Sequence, residues 1–235
     1  MALDIYVGPL CRLYSRDFTS DFAEFAQQTL GAAPVTVNAK GEVLERIPAK
    51  DLLPAILGWR RLITPQFRSA GVTLVDWTET PIGTVKSSQV SWDPYWSLRL
   101  LAAYSEFPDL HLPDRSPEDL SQDAALGIIR DHFLRSRFPH LHACDLWLPL
   151  RCADPVTVET PTGHTKPVGS VGMLRAELDQ IRTRLLAAPD RDALKTIAAD
   201  PARTALIRGA AATLAIWLPL CDLALEHRLP MALDG

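Results

Sequence analysis

Three potential metal ligands alternate within the stretch PHLHACD: His140, His142 and Cys144, with Cys152 eight residues further on. In an extended segment this alternation would set the three side chains on one face. Zinc needs three or four converging ligands, and the spacing fits no established ligand pattern, so no metal site and no cofactor are expected. His132 falls among Ala125, Ile128 and Ile129 on a helical wheel. A lone histidine there reads as a hydrogen-bonded core residue rather than a catalytic base. The carboxylate pairs Asp76 with Glu79 and Asp93 with Glu106 have the residue types of acid–base catalysis. Nothing in the sequence makes them converge, and capping or solvated acids are the simpler reading.

A pocket for an anionic substrate wants a cation and apolar walls. Tyr6, Arg12, Trp92 and Asp93 supply these types. They support one reading: an enzyme of unrecognised type acting on a small anionic substrate, in a pocket beside an aromatic helix over 94–107. No catalytic residue is assigned. There is no phosphate-binding glycine loop. VGSVG approaches a nucleophile elbow but lacks its spacing, and its Ser170 reads better as a helix cap.

The acidic segment is more specific. Glu106, Asp109, Asp114, Glu118, Asp119 and Asp123 fall within eighteen residues that contain a single base, Arg115. Helix-dipole and loop acids explain part of this. The functional reading is an acidic docking edge that steers and selects a basic protein partner, with aromatics of the preceding helix as anchors.

The elements that must position these residues are helices and a small sheet. LDIYV reads as a strand ended by Gly8-Pro9. Residues 17–31 read as a helix and 35–47 as a short hairpin. AKDLLPAILGWRRLITPQF is a second helix, VTLVDWTE a strand and TPIGTVKSSQV a loop. Asp93-Pro94 opens a helix whose Trp96, Leu100, Ala103, Tyr104 and Phe107 form a stripe, with Leu98, Leu101 and Ala102 covering much of the rest. A helix apolar nearly all round belongs in a core. Ser116 to Asp119 predicts a helix start, running to about Phe138. DLWLPL is a strand, and VTVETPTGHTKPVGS a hairpin turning at Thr162-Gly163. Ser170 caps a helix carrying the stripe Val171, Leu174, Leu178, Ile181 and Leu185, with Arg175, Asp179 and Arg182 at pairing distances. The tail from Asp200 to Leu229 reads as one long helix kinked near Pro219.

The sum is a mostly helical α+β domain of 235 residues, with a small mixed or antiparallel sheet and a helical C-terminal part. A subdivision near residue 165 is the most tolerable split. The chain is 47% hydrophobic, 22% charged and has a net charge of −4. This composition argues for a full core and against nucleic-acid binding. Four scattered cysteines read as reduced thiols of a cytoplasmic protein. The opening lacks a signal-peptide pattern. AAATLAIWLPLCDLAL, broken by Pro219 and Asp222, reads as a buried helix rather than a membrane span.

LDIYVGPLCRLYSRDF, WDPYWSLRLLAAYSEFPDL and DLWLPL followed by PTGHTKPVGSVGMLRAELDQI together sample most of residues 3–181. In these stretches the chain resembles a family of uncharacterised bacterial cytosolic proteins. It departs from the pattern at Leu13-Tyr14, where paired tyrosines are more typical. The resemblance implies no catalytic residues. The first functional expectation is therefore a protein-binding module of immunity type, neutralising a toxin by occluding its basic active cleft. The enzyme reading is the alternative.

Overall fold

β1, Ala2–Val7, alternates as its sequence predicts: Leu3, Ile5 and Val7 are buried toward one face of a sheet, and Tyr6 toward the other. The computed structural model describes residues 2–15, 47–83, 85–117 and 119–234. The helix expected over 17–31 and nearly all of the expected hairpin lie outside the described residues. After Gly8-Pro9 comes the short helix α1, Leu10–Tyr14. α2, Ala49–Ser69, buries Ile56, Trp59, Ile63 and Phe67 along one face.

The segment 72–79, expected as a strand, is irregular. It joins no strand, and Trp77 packs edge-on against Trp59. The strand lies in the expected loop instead. β2, Lys86–Ser91, pairs antiparallel with β1 from Ala2↔Ser91 to Val7↔Lys86. Its polar, exposed composition suits the sheet edge that it forms.

β2 runs without a loop into α3, Trp92–Tyr104, two residues earlier than Asp93-Pro94 suggests, with Ser91 at the cap position. The helix expected over 116–138 is broken into pieces. Ser116 bonds back to Ser97 and to the Asp93 carbonyl rather than capping. Asp119 caps a 3₁₀ turn at Leu120–Gln122, and Asp123 caps α4, Ala124–Asp131. His132 closes α4 and is exposed, contrary to its expected core position. PHLHA is a short helix, α5, Pro139–Ala143, and not an extended segment.

β3, Leu146–Leu148, follows, then the hairpin of β4, Val156–Glu159, and β5, Thr165–Ser170. Gly163 in its turn has φ +79, a conformation that favours glycine. Ser170 Oγ accepts from the Met173 amide and caps α6, Val171–Gln180, which continues into a π turn at Ile181–Leu185. Val171, Leu174, Leu178 and Ile181 are fully buried, and Asp179 pairs with both Arg175 and Arg182.

The expected tail helix forms as one element, beginning at Ala205 rather than Asp200, and a separate helix precedes it. α7, Arg191–Ala199, ends before a turn, and Thr204 caps α8, Ala205–Glu226. Pro219 cannot donate to the Ala215 carbonyl; Arg191 Nε does so instead, at 3.1 Å. α8 is long and apolar enough to cross a membrane, yet 56% of its most apolar stretch is buried within the protein. The chain closes with β6, Met231–Asp234, which pairs antiparallel with both β1 and β3.

The strand order is β2-β1-β6-β3-β5-β4, antiparallel except for β3 beside β5. The sheet is covered on both sides. On one, α3, α6, α7 and α8 pack over Leu3, Ile5, Val7, Trp147 and Met231. On the other, α1 and α2 pack over Leu146, Leu148, Val158 and Val168. This is a mostly helical α+β architecture with a helical C-terminal part. A boundary near residue 165 would fall at the start of β5, whose partners β3 and β4 precede it.

Candidate functional site

α3 gives two answers about its aromatics. Tyr95 is core, stacked on Trp217 at 5.7 Å. Leu98, Leu100, Ala102 and Ala103 are fully buried, and Gly209 of α8 comes so close that an added Cβ would lie 2.7 Å from Ser97 Oγ. Trp92 and Trp96, by contrast, are half-buried and stacked on each other at 6.2 Å. Arg99, one turn on, lies over Trp96 at 4.7 Å.

The four residues of the sequence-derived pocket do not converge. Trp92 follows Ser91, which pairs with Ala2, whereas Tyr6 pairs with Ser87 further along the strand and points to the opposite face. Tyr6 donates its hydroxyl to the Pro9 carbonyl. Arg12 is 1% exposed and donates to the Gly83 carbonyl, so it is sealed away from any solvent-borne anion. Trp92 and Asp93 line a cavity, but a different one.

The acidic segment separates in the same way. Glu106 turns inward, accepting from Ser136 Oγ at 2.6 Å and the Arg137 amide at 2.9 Å. Asp123 caps α4 and accepts from the Tyr104 hydroxyl. Asp109, Asp114 and Asp119 are exposed. The Ser121 hydroxyl and amide hold the Asp119 carboxyl below its usual range. Glu118 lies outside the described residues. The segment is laced to the helices: the Leu206 amide donates to the Asp114 carbonyl, and Ser116 meets Ser97 at 3.1 Å.

Trp96 and Leu120 form a wall between two cavities. The first, about 560 Å³, is bounded by Trp92, Asp93, Arg115 and Ser116, at the foot of the acidic loop. The second, about 400 Å³, is bounded by Arg99, Ile129, Arg130, Phe133 and His142. Both flank α3, where the sequence places a pocket.

α5 carries two buried histidines with different surroundings. His140 Nδ1 accepts from the Ser170 amide at 3.0 Å, so Nε2 carries the proton and donates to the Ala153 carbonyl at 2.9 Å. The Glu177 carboxylate accepts from the amides of His140 and Leu141, satisfying two donors at the start of α5. Burial pushes the Glu177 carboxyl up to about 8 despite those two amides. The indole of Trp147 donates to the His140 carbonyl. His142 differs: it is 6% exposed, and neither ring nitrogen has a protein partner. Burial, with the Arg99 charge beside it, holds its pKa well below the usual value, so the ring is neutral.

Sequence reasoning missed Arg99, Arg130 and Glu177 altogether and weighed His142 only as a metal ligand. Among the described residues no group of three or more His, Cys, Asp or Glu side chains is placed to hold a metal ion. Cys144 and Cys152 are buried free thiols, both pushed up by desolvation.

Fold and site together define an α+β protein with a double cleft divided by a tryptophan. No family model, no curated protein and no solved structure matches the chain.

Proposed function

We propose that this chain is a cytoplasmic bacterial protein-binding module of immunity type, which occludes the basic active cleft of a toxin. The observation that carries the reading is the larger cavity. Its wall is the stacked pair Trp92 and Trp96, Asp93 lies at its margin, and the loop holding exposed Asp109, Asp114 and Asp119 is bonded to its rim. An aromatic wall beside carboxylates suits an arginine or lysine from a partner: the ring face attracts the cation and the acids neutralise it. Glu106 and Asp123 support this surface from within rather than contacting the partner. The docking edge is thus smaller than the full acidic segment.

Affinity pull-down of the tagged chain from its native host at moderate salt tests the reading. The expected result is a stoichiometric basic partner whose affinity falls with added salt. The paired change Asp114→Lys with Asp119→Lys should weaken it at least tenfold, and so should Trp92→Ala. A partner that binds all these variants as tightly as the wild type would overturn the proposal.

A further inference from the structure

The smaller cavity beside α3 carries a separate inference, independent of protein docking at its neighbour. Buried polar groups are almost always hydrogen-bonded, and a buried charge is paired. This cavity breaks the first rule twice, and its half-buried Arg99 is a cation with no anion against it among the described residues. His142 lines it with both ring nitrogens unpartnered at 6% exposure. Arg99 lines it with Nε unpartnered; its other nitrogens bond the Tyr95 hydroxyl and the His142 carbonyl, neither of which is an anion. Arg130 adds a second cation at the exposed margin. Among the described residues no carboxylate lines the space. The rest of the lining is largely apolar and includes Trp96, Leu126, Ile129 and Phe133.

We infer that this cavity binds a small carboxylic acid with an apolar or aromatic body. The carboxylate lies against Arg99 and Arg130, the neutral imidazole of His142 supplies one donor and one acceptor, and the body fills the space among Trp96, Ile129 and Phe133. The volume of about 400 Å³ is at the small end of the range for ligand pockets, which suits one ring with a short acidic arm. A guanidinium held over an indole is prearranged for a planar carboxylate, because its orientation is fixed before the ligand arrives. The two cations set the sign of the ligand, and the apolar lining favours a hydrocarbon body over a sugar or a polyphosphate.

Calorimetric titration of the full chain with phenylacetate, and with its neutral isostere phenylacetamide, tests this. Quenching of tryptophan fluorescence follows binding independently, since Trp96 is in the wall. The expected result is saturable one-to-one binding of phenylacetate, with affinity at least tenfold weaker for the amide. Arg99→Gln should lower phenylacetate affinity at least tenfold. Arg130→Gln, an exposed change that leaves the core untouched, should lower it several-fold. No saturable binding of phenylacetate, equal affinity for acid and amide, or unchanged binding in the Arg130 variant would each overturn the inference.

Discussion

His140 and His142 sit two residues apart on one short helix, both buried, and they are treated in opposite ways. Each polar atom of His140, ring and backbone, meets a partner: Glu177, Ser170, Ala153 and Trp147. The ring of His142 meets none. An unsatisfied buried polar group costs about 1–3 kcal/mol. Along α5 that cost falls at the end that borders a cavity. The His140 end of α5 anchors the structure, tying α5 to α6, β3 and β5. The His142 end is the wall of a site.

Breaking the anchored end should have the largest effect. Glu177→Leu leaves the amides of His140 and Leu141 buried without an acceptor. At about 1–3 kcal/mol for each orphaned amide, the expected loss of stability is roughly 3 kcal/mol or more. Chemical denaturation measures it, and a loss below about 1 kcal/mol would mean that Glu177 does not anchor α5.

The two histidines can be compared directly with one substitution. His140→Phe removes partners from the Ser170 amide and the Ala153 carbonyl and should cost about 2–3 kcal/mol. His142→Phe removes two unpartnered nitrogens and should change stability by no more than about 0.5 kcal/mol, or raise it. Equal losses in the two variants would erase the distinction.

Glycine at 169 sharpens the same end of α5. A Cβ there would stand 2.4 Å from the Trp147 ring and 3.0 Å from His140 Nδ1. Gly169→Ala should therefore cost about 1–3 kcal/mol through overpacking, seen as a lower midpoint of denaturation.

The two ends of α5 also differ in how they respond to pH. The Glu177 carboxyl is raised to about 8 in the folded chain from an ordinary value of 4.5. The folded state therefore binds more protons between these values, and the contribution of this group to stability falls as pH rises through that window. Relative to Glu177→Gln, the wild type should lose stability from pH 4.5 to 8. The His142 pKa is lowered, so the unfolded state takes up the proton first. Its contribution is full above 6.5 and is lost as pH falls below that value. The stability of His142→Phe relative to wild type should accordingly rise on acidification. Denaturation curves across pH 5–8 read both trends.

Much of the scaffold was legible from local signals. The alternation of β1, the glycine in the β4–β5 turn, the Ser170 cap and the α6 stripe each depend on residues close in sequence. The reading of α3 as largely core depends on its own helical period. β2 and β6 were not legible, because KSSQVS and MALD become strands through pairing with β1, which propensity does not encode. The failed helix over 116–138 shows the same limit: Ser116 finds Ser97 and Asp93 on α3, and this tertiary contact replaces the local cap. The site was legible only as a neighbourhood. Arg99 meets His142 across 43 residues, and Glu177 meets His140 across 37. No spacing rule spans such distances. The aromatic cluster was the one signal near enough to point at α3.

The contrast between a satisfied and an unsatisfied histidine has one direct readout. Long-range proton–nitrogen NMR of the imidazole rings, recorded with and without phenylacetate, should place the His140 ring in its Nε2-protonated form and leave it unmoved. The His142 ring nitrogens should shift as phenylacetate saturates the cavity. Shifts at both rings, or at neither, would contradict the division of α5 into an anchor and a binding wall.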